Sequence, residues 1–232
     1  ERSDSADQRP KTKDQHPKTK DQTPKTKDHQ PKTNPQRPTT MLPIHIIGAG
    51  GLGREIAAAL THTRLKEKFT LRGFIDDNLA PADVINGIPI QGGIGWLMKQ
   101  ENLTLFIAIG NNSIRQSIIT KLTQSNFNFP TLIHPEASIH DDFFIQIGEG
   151  SYIAQATVLT TNIHIGRHTL ILPCCSLSHD TTIGDCCTLM PGVRITSGAT
   201  IGNNVHIGPG TIIAKNTTIP SNTTIPPGTI IT

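Results

Sequence analysis

From Ile147 to Ile231 every sixth residue is Ile or Leu, fifteen in succession without an exception. A helix needs apolar spacing near 3.6 and a lone strand needs 2, so a strict six belongs to neither. A short fixed period marks a stacked solenoid, and a six-residue period marks a parallel β-helix. The positions two before each aliphatic are mostly small or β-branched, as at Thr157, Cys175, Thr181, Cys187, Val193, Ala199 and Val205. Residues i and i+2 of a strand share a face, so large and small residues are expected to point inward together. Gly follows the aliphatic at Gly148, Gly166, Gly184, Gly202 and Gly208, where it is expected to let the chain turn sharply. Three faces and three corners make a coil of 18 residues, so the fifteen aliphatics predict five coils around a dry core. Ile133, Ile139 and Ile145 keep the spacing until the frame slips by two to Ile147, which predicts a bulge or loop over Asp141–Ile145.

Residues 1–40 are of another kind. Near-identical copies of Pro-Lys-Thr-Lys-Asp-Gln-x place Pro10, Pro17, Pro24, Pro31 and Pro38 seven apart. There is no apolar seam, which excludes a coiled coil, and so polar a segment predicts a disordered Pro/Lys/Thr heptad-repeat tail. Met41 stands directly before the first strand and is expected to serve as a start, with residues 41–232 sufficient for activity. The tail holds ten Lys or Arg and six Asp or Glu, whereas the other 192 residues carry 11 basic against 12 acidic. The basic balance of the chain is therefore the tail's, and the folded part lacks a nucleic-acid footprint. No apolar stretch nears the ~20 residues of a membrane span and no apolar h-region marks a signal peptide. A cytoplasmic protein with no membrane or nucleic-acid partner is expected.

Residues 41–134 alternate strands with helices and read as a small α/β domain with a parallel sheet, leaving 135–232 to the β-helix. Strands are expected at Ile44–Ile47, Leu71–Ile75, Ile88–Ile90, Leu103–Ile109 and Thr131–Ile133. Helices are expected at Arg54–Leu65, Ile94–Gln100 and Ser113–Ser125, the last capped by Ser113. Gly48, Gly50 and Gly53 form G-x-G-x-x-G between the first strand and helix, with Asp76 23 residues after Gly53. This is the arrangement of a nucleotide-binding turn, in which the helix N-terminus faces phosphate. A full dinucleotide-binding oxidoreductase is a poor rival, since the α/β part spans only about one mononucleotide-binding half. Asp76-Asp77 and Gly110-Asn111-Asn112 end strands at the carboxyl edge, where open α/β sheets bind ligands.

Cys175 and Cys187 fall on the small inward position and read as buried hydrophobes, with no C-x-x-C spacing and no metal site expected. His164 and His206 stand one before an aliphatic, on outward strand positions, and read as structural. His134 in Ile-His-Pro reads as backbone-bonded. His179-Asp180 follows Leu177-Ser178 and so falls at a corner, clear of the inward file.

A glycine-turn α/β domain, a strand running into Gly110-Asn111-Asn112, an Ile-His-Pro joint at 133–135 and hexapeptide repeats containing Ser-His-Asp together resemble one family. It is the sialic acid O-acetyltransferase family of hexapeptide-repeat acyltransferases, including the N-acetyltransferases of UDP-linked 4-amino sugars such as the bacillosamine precursor. The resemblance covers about residues 43–219. It implies a left-handed parallel β-helix, a homotrimer, and acetyl transfer from acetyl-CoA with no metal, in surface glycan synthesis. The acceptor it implies is a nucleotide-linked amino sugar, with a sialic-acid-like sugar acetylated on oxygen as the alternative. The family's general base falls on His179, which would take a proton from the attacking amine or hydroxyl, and Asp180 would raise its basicity. Gly50, Gly51, Leu52, Asp76, Asp77 and Gly110 would line the nucleotide-sugar site. Thr188, Pro209 and Pro227 would lie near the coenzyme. The chain departs from the family at Leu52 and Thr188, where relatives have His, and at Ile230-Ile231-Thr232, where they continue into Gly-x-Pro-Ala-Lys. A truncated chain or a weakened coenzyme site is expected from the last, and a scaffold homologue that merely kept the fold is a further alternative.

Overall fold

The computed structural model describes residues 41–232, and the predicted heptad tail lies outside the described residues. Strand β1 (Leu42–Ile47) runs into the glycine turn and helix α1 (Gly51–His62). Then come β2 (Phe69–Ile75), β3 (Val84–Ile85), β4 (Ile88–Gly92), α2 (Ile94–Leu97), β5 (Thr104–Ile107) and α3 (Asn112–Leu122). Helix α1 starts three residues earlier than the apolar pattern predicts. It stops at His62 because Thr63 is extended and its hydroxyl caps a 3-10 turn by accepting from Leu65 N at 3.2 Å. The cap of α3 is Asn111, whose Oδ1 accepts from Ile114 N at 3.0 Å, and not Ser113. Both residues are good cap types, and spacing alone could not choose between them.

The sheet order is β3-β4-β2-β1-β5, parallel apart from the small β3/β4 hairpin. The connection from β1 leads to β2 on one side, and β5 returns on the other. The strand order thus reverses between β1 and β5, where open α/β sheets leave a crevice at their carboxyl ends. The glycine turn and Gly110 flank that crevice.

Strand β6 (Leu132–Ile133) does not close this sheet, contrary to expectation. It pairs with Tyr152–Ile153 as the first strand of a prism face. The reason is legible in the sequence: Ile133 already stands in the six-residue frame, and its side chain packs on the prism core. The prism has three parallel sheets of six, five and six strands. The aliphatic file from Ile153 to Ile225 is buried throughout, together with Cys175, Cys187, Val193, Ala199 and Val205. The frame slip is a turn at Asp142–Phe144, leaving Phe143 93% exposed, while Ile145 rejoins a strand and pairs with Ile163.

The corners turn on a different residue from the one expected. Every sixth residue from Gly150 to Gly228 has a positive φ, including Asn162 (52°), His168 (51°), Asp180 (61°), Asn204 (58°) and Asn222 (63°). The glycines after the aliphatics have no positive φ. They are small because the next coil presses on them: a Cβ on Gly208 would meet Pro227 N at 2.5 Å, and one on Gly148 would meet Arg167 N at 2.6 Å.

The α/β part rests on the face built by Tyr152–Ile153, Leu170–Ile171 and Thr188–Leu189. Tyr152, Ala154, Leu170 and Leu172 share one apolar core with Ile56, Leu60 and Phe106, and Phe106 meets Tyr152 edge-on at 6.2 Å. Among the described residues no helix is long and apolar enough to cross a membrane.

Candidate active site

His179 and Asp180 form the turn between strands Ser176–Leu177 and Thr182–Ile183. The left-handed conformation at Asp180 suits a short polar side chain. Neighbouring coils pin the turn from both sides: Asp180 N donates to Thr161 O at 3.3 Å, and Gly198 N donates to His179 O at 3.0 Å. The side chains remain 57% and 57% exposed, with His179 Nδ1 2.7 Å from Asp180 Oδ2. The second carboxylate oxygen accepts from Asn162 Nδ2 at 3.1 Å. These bonds, that to His179 first, hold the Asp180 carboxyl below its ordinary range. An ionised carboxylate is an acceptor only, so Nδ1 carries a proton toward Asp180, and Nε2 is the nitrogen without a partner. The pair thus faces solvent with one imidazole nitrogen unpartnered.

Of the residues expected around a nucleotide, Asp76 and Asp77 line one cleft and Gly110 another, while Gly50, Gly51 and Leu52 line neither. In the glycine turn the three glycines have separate reasons. Gly48 has φ +99°, a Cβ on Gly50 would meet nothing within 4 Å, and a Cβ on Gly53 would collide with Gly48 O. Turning, open approach and close helix packing are the three needs of a phosphate-binding turn. Gly51 is as open as Gly50, whereas Leu52 packs half-buried on the core. Asp76 Oδ2 accepts from Ala49 N at 2.9 Å and pins the turn. Asp77 Oδ1 accepts from Ile94 N at 2.7 Å and caps α2. Both line a cleft of about 140 Å³ walled by Ile75, Ile94, Ile109 and Ile114. Gly110 lines a second and larger one, of about 530 Å³, between the start of α3 and the prism.

Thr188, expected near the coenzyme, lies at the junction of α3 and the prism. This residue is fully buried, donating to Asn112 Oδ1 at 2.6 Å and lying 3.2 Å from Gly110 O. It points outward from the prism face that the α/β part covers. Pro209 and Pro227 are exposed, on the corner that the docked face shares with the face of Arg194–Ile195. His179 occupies a different corner of the same chain.

What occupies Thr188 is the residue that sequence reasoning missed. Arg115 is 0% exposed. From the inner face of α3 its guanidinium donates to Ile109 O (2.6 Å), Cys186 O (2.8 Å), Cys187 O (3.0 Å) and His168 O (3.0 Å). It also meets Thr188 Oγ1 at 3.0 Å and Asn112 Oδ1 at 3.2 Å. Burial lowers its pKa. A signal existed: the buried stripe of α3 is Asn112, Arg115, Ile118 and Leu122, at helical spacing. His134 Nδ1 accepts from Glu136 N at 3.2 Å, the backbone bond expected of it. Burial pushes the Cys175 thiol up to about 12 and that of Cys187 to about 11, so both are buried thiols and poor nucleophiles.

Comparison with known proteins agrees with this layout. The PglD N-terminal domain model matches residues 43–122. The bacterial transferase hexapeptide model matches residues 162–197, 180–215 and 198–232. The prism is accordingly the left-handed parallel β-helix of hexapeptide-repeat proteins. GDP-perosamine N-acetyltransferase of Escherichia coli O157:H7 is 32% identical over 126 residues, covering 53% of this chain and 55% of that protein. The chain thus matches little more than half the length of this curated relative. The acetyltransferase domain of PglB from Neisseria gonorrhoeae FA1090 superposes with a TM-score of 0.73 at 27% identity, over 82% of this chain and 91% of that one. WeeI from Acinetobacter baumannii AYE does so with a TM-score of 0.63 at 26% identity, over 82% and 96%. A mutant perosamine N-acetyltransferase from Caulobacter crescentus, in complex with CoA and GDP-perosamine, shares the fold, with a TM-score of 0.72 at 23% identity over 83% and 90%.

Proposed function

We propose that this chain, a hexapeptide-repeat acyltransferase related to the perosamine and PglB-type N-acetyltransferases, transfers acetyl from acetyl-CoA to the amine of a nucleotide-linked amino sugar. The observation that carries the reading is the His179–Asp180 pair at 2.7 Å on an exposed prism corner. The acceptor amine attacks the thioester carbonyl while His179 Nε2 takes its proton, and Asp180 stabilises the imidazolium. Collapse of the tetrahedral intermediate expels the coenzyme thiolate, which takes the proton back. No acyl-enzyme is needed, in keeping with the burial of Cys175, Cys186 and Cys187.

The nucleotide-sugar is assigned to the crevice between β1 and β5, with Gly50, Gly51, Asp76, Asp77 and Gly110 around it. Pro209 and Pro227 lie on a different corner from His179, so this reading brings coenzyme and base together in a homotrimer, one copy supplying the coenzyme wall for the base of the next. Acetyl-CoA supply makes the cytoplasm the compartment. The test is thiol release from acetyl-CoA with UDP-linked and GDP-linked amino sugars and with sialic acids. A product heavier by one acetyl group on the sugar nitrogen is expected. Acetylation of sialic acid oxygen alone would replace this reading with the O-acetyltransferase one.

A further inference from the structure

The prism has three corners, and one has no part in the proposed acetyl transfer. His179 holds the first, and Pro209 and Pro227 lie on the second. The third joins the docked face to the face of Ile163–Ile165 and carries Glu149, Arg167 and Asp185, 18 residues apart. Between this corner and α3 lies a cavity of about 340 Å³, within the size range of small-molecule sites. Its α3 side is largely apolar, with Ile119 and Leu122 from the helix and Phe127 and Phe129 from the loop that follows. Its prism side is polar, with Glu149, Arg167, His168 and Asp185. Phe129 meets the His168 ring edge-on at 5.1 Å, which fixes the two sides relative to each other.

The polar side has acceptors to spare and few donors. Arg167 pairs its guanidinium with Glu149 and donates its backbone N–H to Asp185 Oδ1 at 2.7 Å. Glu149 Oε2 and Asp185 Oδ2 have no partner among the described residues. An ionised carboxylate only accepts, so an occupant must bring N–H or O–H groups. It need not bring charge. The two carboxylates are balanced by two guanidiniums, Arg167 beside them and Arg115 behind, donating to the carbonyls of His168 and Cys186. His168 is neutral at pH 7, because burial lowers its pKa to about 4. Neutral donors are hydroxyls, and the apolar side suits a face of C–H groups. A sugar ring presents both.

We propose that this cavity binds a neutral sugar ring, its hydroxyls donating to Glu149 and Asp185 and its C–H face lying on Phe127 and Phe129. The ring can arrive as a free sugar or within a nucleoside. The site is separate from the His179 corner and does not rest on the acetyl-transfer reading.

NMR titration of the full chain with galactose and with uridine tests this, beside galactosamine as a cation. A ring of about a dozen heavy atoms implies millimolar dissociation constants. Gln116 is exposed on α3 and lines the cavity, so Gln116→Arg adds a guanidinium that competes for the free carboxylate oxygens. Ser117→Arg makes the same charge change at an exposed position outside the lining. Gln116→Arg is expected to weaken binding at least about tenfold at an unchanged melting temperature, and Ser117→Arg to leave it as it was. Asp185→Asn keeps the oxygen that accepts from Arg167 N and is expected to weaken binding a few-fold. If Gln116→Arg weakens galactose alone, the ligand is a free sugar; if uridine alone, a nucleoside; either result supports the site. No saturable binding of either probe, or equal effects of Gln116→Arg and Ser117→Arg, would overturn the inference. Tighter binding of galactosamine than of galactose would also overturn it, by giving the cavity to an organic cation.

Discussion

Two polar clusters of this chain are opposites. At the His179–Asp180 corner both side chains are more than half exposed, and the imidazole keeps one nitrogen without a partner. At the Arg115–Asn112–Thr188 junction all three residues are buried, and Arg115 and Thr188 direct their bonding capacity to protein. The first has a free valence aimed at solvent, which a proton transfer needs. The second joins α3 to the prism, with only Asn112 Nδ2 left without a partner. Spare bonding capacity, more than residue type, separates a reactive site from a structural one.

The contrast can be broken by substitution. The largest effect is expected from His179→Ala, a fall in kcat/KM of about 10²–10⁴-fold with the melting temperature unchanged. Arg115→Met comes next and acts on stability instead. It strands several buried carbonyls, so a loss of about 3 kcal/mol in urea unfolding is expected. Asp180→Asn keeps a residue tolerant of the left-handed φ but removes the charge beside the imidazole. A fall in kcat of about tenfold is expected, with no change in stability. Thr188→Val should cost about 1 kcal/mol and leave the KM for acetyl-CoA where it was. A raised coenzyme KM would restore Thr188 to the coenzyme site.

A pH series sharpens the junction side of the comparison. Burial, and next the nearby Arg167, lower the His168 pKa to about 4 from an ordinary 6.5. The unfolded chain then binds the proton more readily than the folded one, so stability is complete above about 6.5 and is lost as pH falls toward about 4. His168→Asn preserves both the left-handed φ and the carbonyl that accepts from Arg115, and should flatten that slope. An unaltered slope in urea midpoints between those pH values would remove His168 as its source.

The prism was legible because its core is written at one residue in six and nothing interrupts it after Ile147. The glycine turn was legible because three separate steric needs fall on three glycines. The corner geometry was not. The left-handed position is filled by Ala156, His168, Cys174 and Cys186 as well as by Gly, Asn and Asp, since hydrogen bonds between coils impose a conformation those residues do not prefer. The glycines that could be read mark where coils press together. Arg115 escaped notice because a basic residue on a helix normally faces water, and its partners on the prism, His168, Cys186, Cys187 and Thr188, lie more than 50 residues away in the chain. The burial of Thr188 was hidden for the same reason: only tertiary contact shows that its prism face is covered.

The most direct test sets the two clusters side by side: acceptor-dependent thiol release from acetyl-CoA, per folded molecule, by the unaltered chain, His179→Ala and Thr188→Val. The account predicts that release is lost in His179→Ala at full stability and is kept in Thr188→Val at reduced stability. Release surviving in His179→Ala within a few-fold of the unaltered chain would contradict it, and the corner would no longer be the site of proton transfer.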